Sequence, residues 1–299
     1  MSSRSKSFLF ITYRVTRGLA ALGAALQKSG HNVAIASASP IGITRTLRVP
    51  HIRIRRLKLF GRRFLIPSDP LRNFLKSQTP AIFAVDDAAN LLCRRMKLET
   101  CDKPIEFGLD LNLFSPKCVS VSRIAAFLQE YNIAPHQKMI TVISPLGRGI
   151  DTLLAAMRLI SDPSLVVAFY GFAKPAKAKK IISKIQESGQ VWRTVYIGED
   201  ADLPTVMRSS FATISCAEHD RDMLMAAVAL ARPTIWPNNI HGINANISLL
   251  DDATAEDIAD ALNHALSLSQ SKREAIEKEN VIRAKEFAIE KSIEQVVGR

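Results

Sequence analysis

A chain of 299 residues is long enough for two domains of ordinary size. An apolar fraction of 47% with 6% aromatics suits an α/β protein built on Ala, Leu, Ile and Val, and no apolar run approaches the ~20 residues of a membrane-spanning helix. The net charge of +12 is unevenly placed: residues 1–118 hold 20 Lys and Arg against 7 acids, the first of them Asp69, and residues 119–299 hold 20 against 21.

The front, MSSRSKSFLFITYRV, is basic and Ser-rich but lacks a small-residue cleavage site, which argues against a secretory leader. A transit segment stays open, because this end is free of acids; the preferred reading is a first core strand over residues 7–13. Residues 16–29 predict a helix with Leu19, Leu22, Ala25 and Leu26 on one side, closed by Gly30. Residues 33–37 predict a second, buried strand. Residues 44–67 are basic and partly alternating, with eight Arg or Lys between Arg45 and Arg63. A strand over 79–85 and an Ala-rich helix from Asp86 to about Leu98 follow.

Residues 120–131 predict a linking helix, and strands and helices then alternate. Strands are expected at 138–144, 165–170 and 195–197, over the TISCAE stretch that ends at Glu218, and over a second apolar stretch that closes residues 213–237. Helices are expected at 149–159, 174–188 and 202–210, and from about Asp222. Residues 255–268 and 273–297 predict two terminal helices. Alternation of this kind implies parallel sheets covered by helices. The four cysteines, Cys93, Cys101, Cys118 and Cys216, show no C-x-x-C spacing and no His cluster, which excludes a structural zinc site of the usual kind. Free thiols in a reducing cytoplasm are the expectation.

Three segments carry a resemblance to one family. The segment TISCAEHDRDMLMAAVALARPTIWP, residues 213–237, is similar to the donor-sugar segment of GT-B glycosyltransferases of the group 1, or family 4, type. In that family a strand leads to a Glu, a glycine-rich turn, a second Glu eight residues later, and a Gly-x-Pro. Here Glu218 stands at the first place, Ala226 at the second, and Ala231, Arg232 and Pro233 at the third. The segment KPIEFGLDLNLFSP resembles the family's hand-over element in the register of Ile105, Gly108, Leu109, Asp110, Phe114 and Pro116. The opening RGLAALGAALQKSGHNVAIAS resembles the family's first βαβ unit.

The resemblance implies an α/β fold of two Rossmann-like parallel-sheet domains (GT-B). The N-terminal domain, residues 1–118, is shortened and serves the acceptor or membrane side; residues 119–299 form the donor domain. It implies transfer of a sugar from a nucleotide-sugar to a glycan or lipid-linked acceptor, by a retaining route, in cell-surface polysaccharide or lipopolysaccharide assembly. The alternative is a catalytically impaired GT-B protein acting as a binding or partner subunit. No cofactor and no metal are expected. Glu218 is the catalytic candidate. Gly147, Arg148, Gly149, Gly171, Gly198, His219, Asp220, Arg221 and Met223 are the donor-binding candidates. Arg148 can grip a phosphate bidentately, whereas Asp220 and Asp222 occupy the helix pole that a diphosphate would use. Ala226 removes the acceptor that the family's second Glu offers the ribose. Arg53, Arg55, Arg56 and Lys58, with interleaved aliphatic residues, are candidates for an anionic membrane surface. Nucleic acid is the less favoured partner of this stretch, because stacking aromatics are sparse. The expected location is cytoplasmic, peripheral to the inner face of the plasma membrane.

Overall fold

The computed structural model describes residues 5–38, 48–59, 62–101, 107–143, 149–171, 175–198, 201–215, 221–237, 243–250 and 252–298. The chain divides into two compact units, residues 1–110 with 287–299, and residues 111–286.

In the first unit, β1 (Ser7–Thr12) leads through α1 (Arg17–Lys28) to β2 (Asn32–Ser37). After β3 (His51–Arg53) come β4 (Arg55–Leu59), β5 (Arg62–Ile66), α2 (Asp69–Ser77), β6 (Ala81–Ala84) and α3 (Asp87–Arg95). The sheet is parallel in the order β3-β2-β1-β6, and β4 and β5 pair antiparallel as a separate hairpin. β1 is apolar without alternation because both of its faces are covered. Phe8 and Phe10 join one buried cluster with Leu19, Leu22 and Leu26 of α1, while Leu9 and Ile11 join another with Leu71 and Leu92. Thr16 caps α1 by accepting from the Leu19 N–H, and Asp86 caps α3 by accepting from the Ala89 N–H.

The second unit opens with α4 (Val121–Glu130) and β7 (Lys138–Ile143). It continues through α5 (Ile150–Leu159), β8 (Leu165–Tyr170), α6 (Pro175–Ser188), β9 (Thr194–Ile197), α7 (Leu203–Ser209) and β10 (Ala212–Ser215). Then follow α8 (Arg221–Ala229), β11 (Thr234–Pro237), β12 (Ile247–Leu249), α9 (Ala255–Ser267) and α10 (Gln270–Ala284). Its six parallel strands lie in the order β12-β11-β10-β7-β8-β9. Counted from β7, this is the doubly wound order 6-5-4-1-2-3, in which the winding reverses between β7 and β10. Four strands in one sheet and six in the other make the N-terminal domain the shorter one.

The last helix, α11 (Ile289–Val297), belongs to the first unit. Ile289 and Val296 are buried against the α1 side of the first sheet. The sequence expectation of one helix over 273–297 is therefore corrected: a 3-10 turn at Lys285–Phe287 and an extended Ala288 separate α10 from α11. The cause is long-range. The Leu109 N–H donates to Phe287 O at 2.8 Å, Ile289 N–H donates to Leu109 O at 2.9 Å, and the Gly108 N–H donates to Ser292 Oγ at 2.7 Å. A Cβ on Gly108 would lie 2.7 Å from the Ala288 carbonyl oxygen, so only glycine admits this approach. The sequence reading also misses β3, the β4–β5 hairpin, α2 and the three-residue β12.

Candidate functional site

In a doubly wound sheet the ligand crevice lies beyond the carboxyl ends of the strands, where the winding reverses. In the second unit that place follows Ile143 of β7 and Ser215 of β10, which are neighbours through the Ile143–Ser215 register pair. The loops that begin there, residues 144–148 and 216–220, lie outside the described residues, and with them Gly147, Arg148, Glu218, His219 and Asp220. Their flanks are described. Gly149, Gly171, Gly198 and Arg221 follow β7, β8, β9 and β10, four adjacent strands, so parallel pairing brings these candidates to one end of the sheet.

Gly149 is the N-cap of α5 with φ +100°, and α5 has no side-chain cap. The contrast with its neighbours is chemical. In the same unit Ser120 caps α4, Asp202 caps α7, Thr254 caps α9 with a capping box, and Ser269 caps α10. Among the described residues no side chain caps the first turn of α5, and a helix pole of this kind favours anions. Asp151 stands in that first turn, and its carboxylate is engaged by Lys184 Nζ at 2.6 Å. Gly171 has φ +104°, a backbone that side chains other than glycine adopt only with strain, and its N–H donates to Ile197 O at 3.0 Å. The Gly198 carbonyl accepts from the Ala201 N–H at 3.3 Å in the turn that enters α7.

α8 begins at Arg221. Arg221, Asp222 and Met223 are half-buried, and every residue from Leu224 to Ala229 is buried. Ala226 is 1% exposed, so the position eight after Glu218 is part of the helix's packed wall. Trp236 of β11, beside β10, is fully buried, and its indole N–H has no partner among the described residues.

The third place of the 213–237 motif is structural. Ala231 adopts φ +59°, the left-handed conformation that glycine takes most easily. Arg232 turns back under α8. Its Nε and Nη2 donate to Arg208 O at 3.0 and 2.6 Å, and its Nη1 meets Glu277 Oε1 at 2.8 Å. Arg208 meets Glu277 Oε2 at 3.4 Å. Burial, reinforced by Arg208 and opposed by Glu277, pulls the Arg232 pKa down to about 10, so it stays charged at neutral pH. Asn280, fully buried, donates to Arg232 O and to Asn246 Oδ1, each at 3.0 Å. This network ties α10 to the β10–α8–β11 passage at the amino ends of the strands. The sequence signal for it, an Arg before a Pro and a Glu in a distant helix, carries no spacing rule.

In the first unit Arg53, Arg55 and Arg56 are exposed, and Lys58 lies in β4. Asp86 joins the ends of β6 and β1: its Oδ2 accepts from Thr12 Oγ1 at 2.8 Å and from the Tyr13 N–H at 2.6 Å. Sequence reasoning placed Asp86 as a helix start and missed this second use.

No protein-family model matches the chain, and no curated protein matches it by sequence. Solved structures do. A glycosyltransferase from Rickettsia africae ESF-5 aligns with a TM-score of 0.79 at 12% identity, over 99% of this chain and 98% of that one. Anabaena HepE in complex with UDP and glucose aligns with a TM-score of 0.70 at 14% identity, over 99% of each chain. A putative UDP-N-acetylglucosamine 2-epimerase from Listeria monocytogenes aligns with a TM-score of 0.61 at 12% identity, over 98% and 95%. Identities this low speak to the fold and leave the reaction to the residues of the site. The chain has the GT-B fold, two Rossmann-like parallel-sheet domains, of the glycosyltransferases it resembles.

Proposed function

We propose that the protein is a glycosyltransferase that moves a sugar from a nucleotide-sugar donor to a glycan or lipid-linked acceptor. The carrying observation is the start of α5: a glycine N-cap in the left-handed conformation, without a side-chain cap, beside the β7/β10 switch point. A diphosphate is the ligand that such a pole takes. In this reading Arg148 and the first-turn N–H groups of α5 hold the diphosphate and stabilise its charge as the glycosidic bond breaks. Glu218 holds the sugar, and Gly171 and Gly198 let backbone approach the nucleotide. The transfer is retaining and forms no covalent sugar–enzyme bond. The setting is cell-surface polysaccharide or lipopolysaccharide assembly, with the basic first unit turned to an anionic membrane surface.

A second reading has its own observation. Ala226 is buried in the wall of α8 and offers no acceptor to a ribose, and Asp222 places a negative charge in the first turn of that helix. A buried charged hydrogen bond is worth a few kcal/mol, or ~10²-fold in affinity. That loss suits a GT-B protein that binds a donor or a partner without turning it over. Calorimetric titration with UDP, GDP and ADP decides first. Binding of one nucleotide, weakened at least tenfold by Arg148→Ala, supports the donor site; silence toward all three sinks it. Incubation with the matching nucleotide-sugar and a glycan acceptor then separates transfer from epimerisation of the free donor and from binding alone.

A further inference from the structure

The β4–β5 hairpin stands outside both parallel sheets, and nothing in the donor reading uses it. Its register opposes Arg55 to Ile66 and Leu57 to Phe64, which puts these four on one face, and opposes Arg56 to Leu65 on the other. Leu65 is 2% exposed and packs with Ile54, Leu71 and Leu92, so the second face is the anchored one. The first face is open: Leu57 is 45% exposed and Ile66 39%. Arg95 of α3 lays its guanidinium 5.3 Å from the centre of the Phe64 ring, which continues the cationic surface past the hairpin. No carboxylate among the described residues pairs with Arg53, Arg55 or Arg56, and the sequence holds no acid before Asp69.

We propose that this hairpin face docks on an anionic lipid bilayer, with Leu57 and Ile66 entering the headgroup boundary and Arg55 and Arg95 meeting lipid phosphates. Arginines with no carboxylate partner among the described residues supply attraction to any polyanion. The aliphatic residues between them choose the bilayer, since Leu and Ile gain by leaving water and offer no stacking surface to a base. The inference deepens the membrane side of the proposed function and is independent of the donor site.

The test is sedimentation of the full chain with sucrose-loaded vesicles of phosphatidylglycerol or of phosphatidylcholine, at about 0.15 M salt. The protein is expected to pellet with the anionic vesicles only. Arg55→Ala combined with Arg95→Ala should lower partition about thirtyfold. Leu57→Ser combined with Ile66→Ser should lower it at least tenfold and leave the steepness of its salt dependence unchanged. All four side chains are exposed, so the fold should survive, and an unchanged thermal midpoint checks that. The proposal is overturned if the protein stays in the supernatant, or if the variants sediment like the parent. It is also overturned if a duplex oligonucleotide binds at that salt while vesicles do not, which would assign the face to nucleic acid. Nucleotide titration of the same preparation separates the failures: intact nucleotide binding without sedimentation overturns the docking alone, and the reverse overturns the donor site alone.

Discussion

The two units share a plan and differ in what completes it. In each, a central strand, β1 or β7, carries two strands on one side and reverses to β6 or β10 on the other. The second unit goes on to β11 and β12, with α10 held by Glu277, Arg208, Arg232 and Asn280. The first stops at β6 and is completed from the other end of the chain, by α11 lying on Gly108 and the α1 side. One core is closed by a continuous run and a polar network, the other by a distant segment and a close backbone contact. A short Rossmann unit can thus be finished by non-local chain, at the cost of depending on it.

The contrast can be broken unit by unit, because both tryptophans, Trp192 and Trp236, lie in the second unit. Tryptophan fluorescence follows that unit, and far-UV circular dichroism follows both. Gly108→Val drives a side chain into the Ala288 carbonyl and should cost about 3 kcal/mol or more, splitting an early circular-dichroism transition from an unmoved fluorescence transition. Coincident transitions that shift together would mean that the units unfold as one.

Glu277→Ala leaves Arg208 and Arg232 as uncompensated, largely buried cations. It should cost about 2 kcal/mol, seen as a lower urea midpoint by fluorescence. A midpoint within error of the parent would show that the network specifies position rather than stability. Ala231→Gly relieves the left-handed strain and loses part of that gain to the unfolded chain. A net stabilisation of about 0.5 kcal/mol is expected, again by fluorescence.

The smallest effect is on pH. Burial, then the nearby Arg53, holds the His51 pKa below its ordinary value, while Ser37 Oγ lies 2.8 Å from His51 Nε2. A depressed folded-state pKa means that the unfolded chain binds the proton more readily. Stability is therefore full above the ordinary histidine pKa of about 6.5 and falls as pH drops through it toward the folded value. His51→Gln should flatten that part of the circular-dichroism stability profile and leave the fluorescence profile as it was. An unchanged slope would assign the pH dependence to other groups.

Much of the fold was legible because local signals agree with the global pattern. Caps at Thr16, Asp86, Ser120 and Thr254 mark helix starts, and unbroken apolar runs such as LVVAFY mark strands covered on both faces. Glycines at 149, 171 and 198 follow strand ends in the sequence itself. The candidate donor site was legible only as an order of residues along the chain; that its described members follow four neighbouring strands came from the pairing β10-β7-β8-β9. The β4–β5 hairpin hid because its alternation is blurred by cations on both strands, and β12 because three residues carry no period.

By itself the sequence determined the alternation of strand and helix, the absence of acids before Asp69, and the resemblance that named a fold. Each is a property of spacing or composition read along continuous chain. The tertiary structure alone decided that residues 273–297 break into two helices, that the last of them completes the first unit, that Gly108 must be glycine, and that Ala226 is a packed wall. The first three depend on groups more than a hundred residues apart in the chain, as Gly108 and Ser292 are, and local periodicity holds no record of such partners.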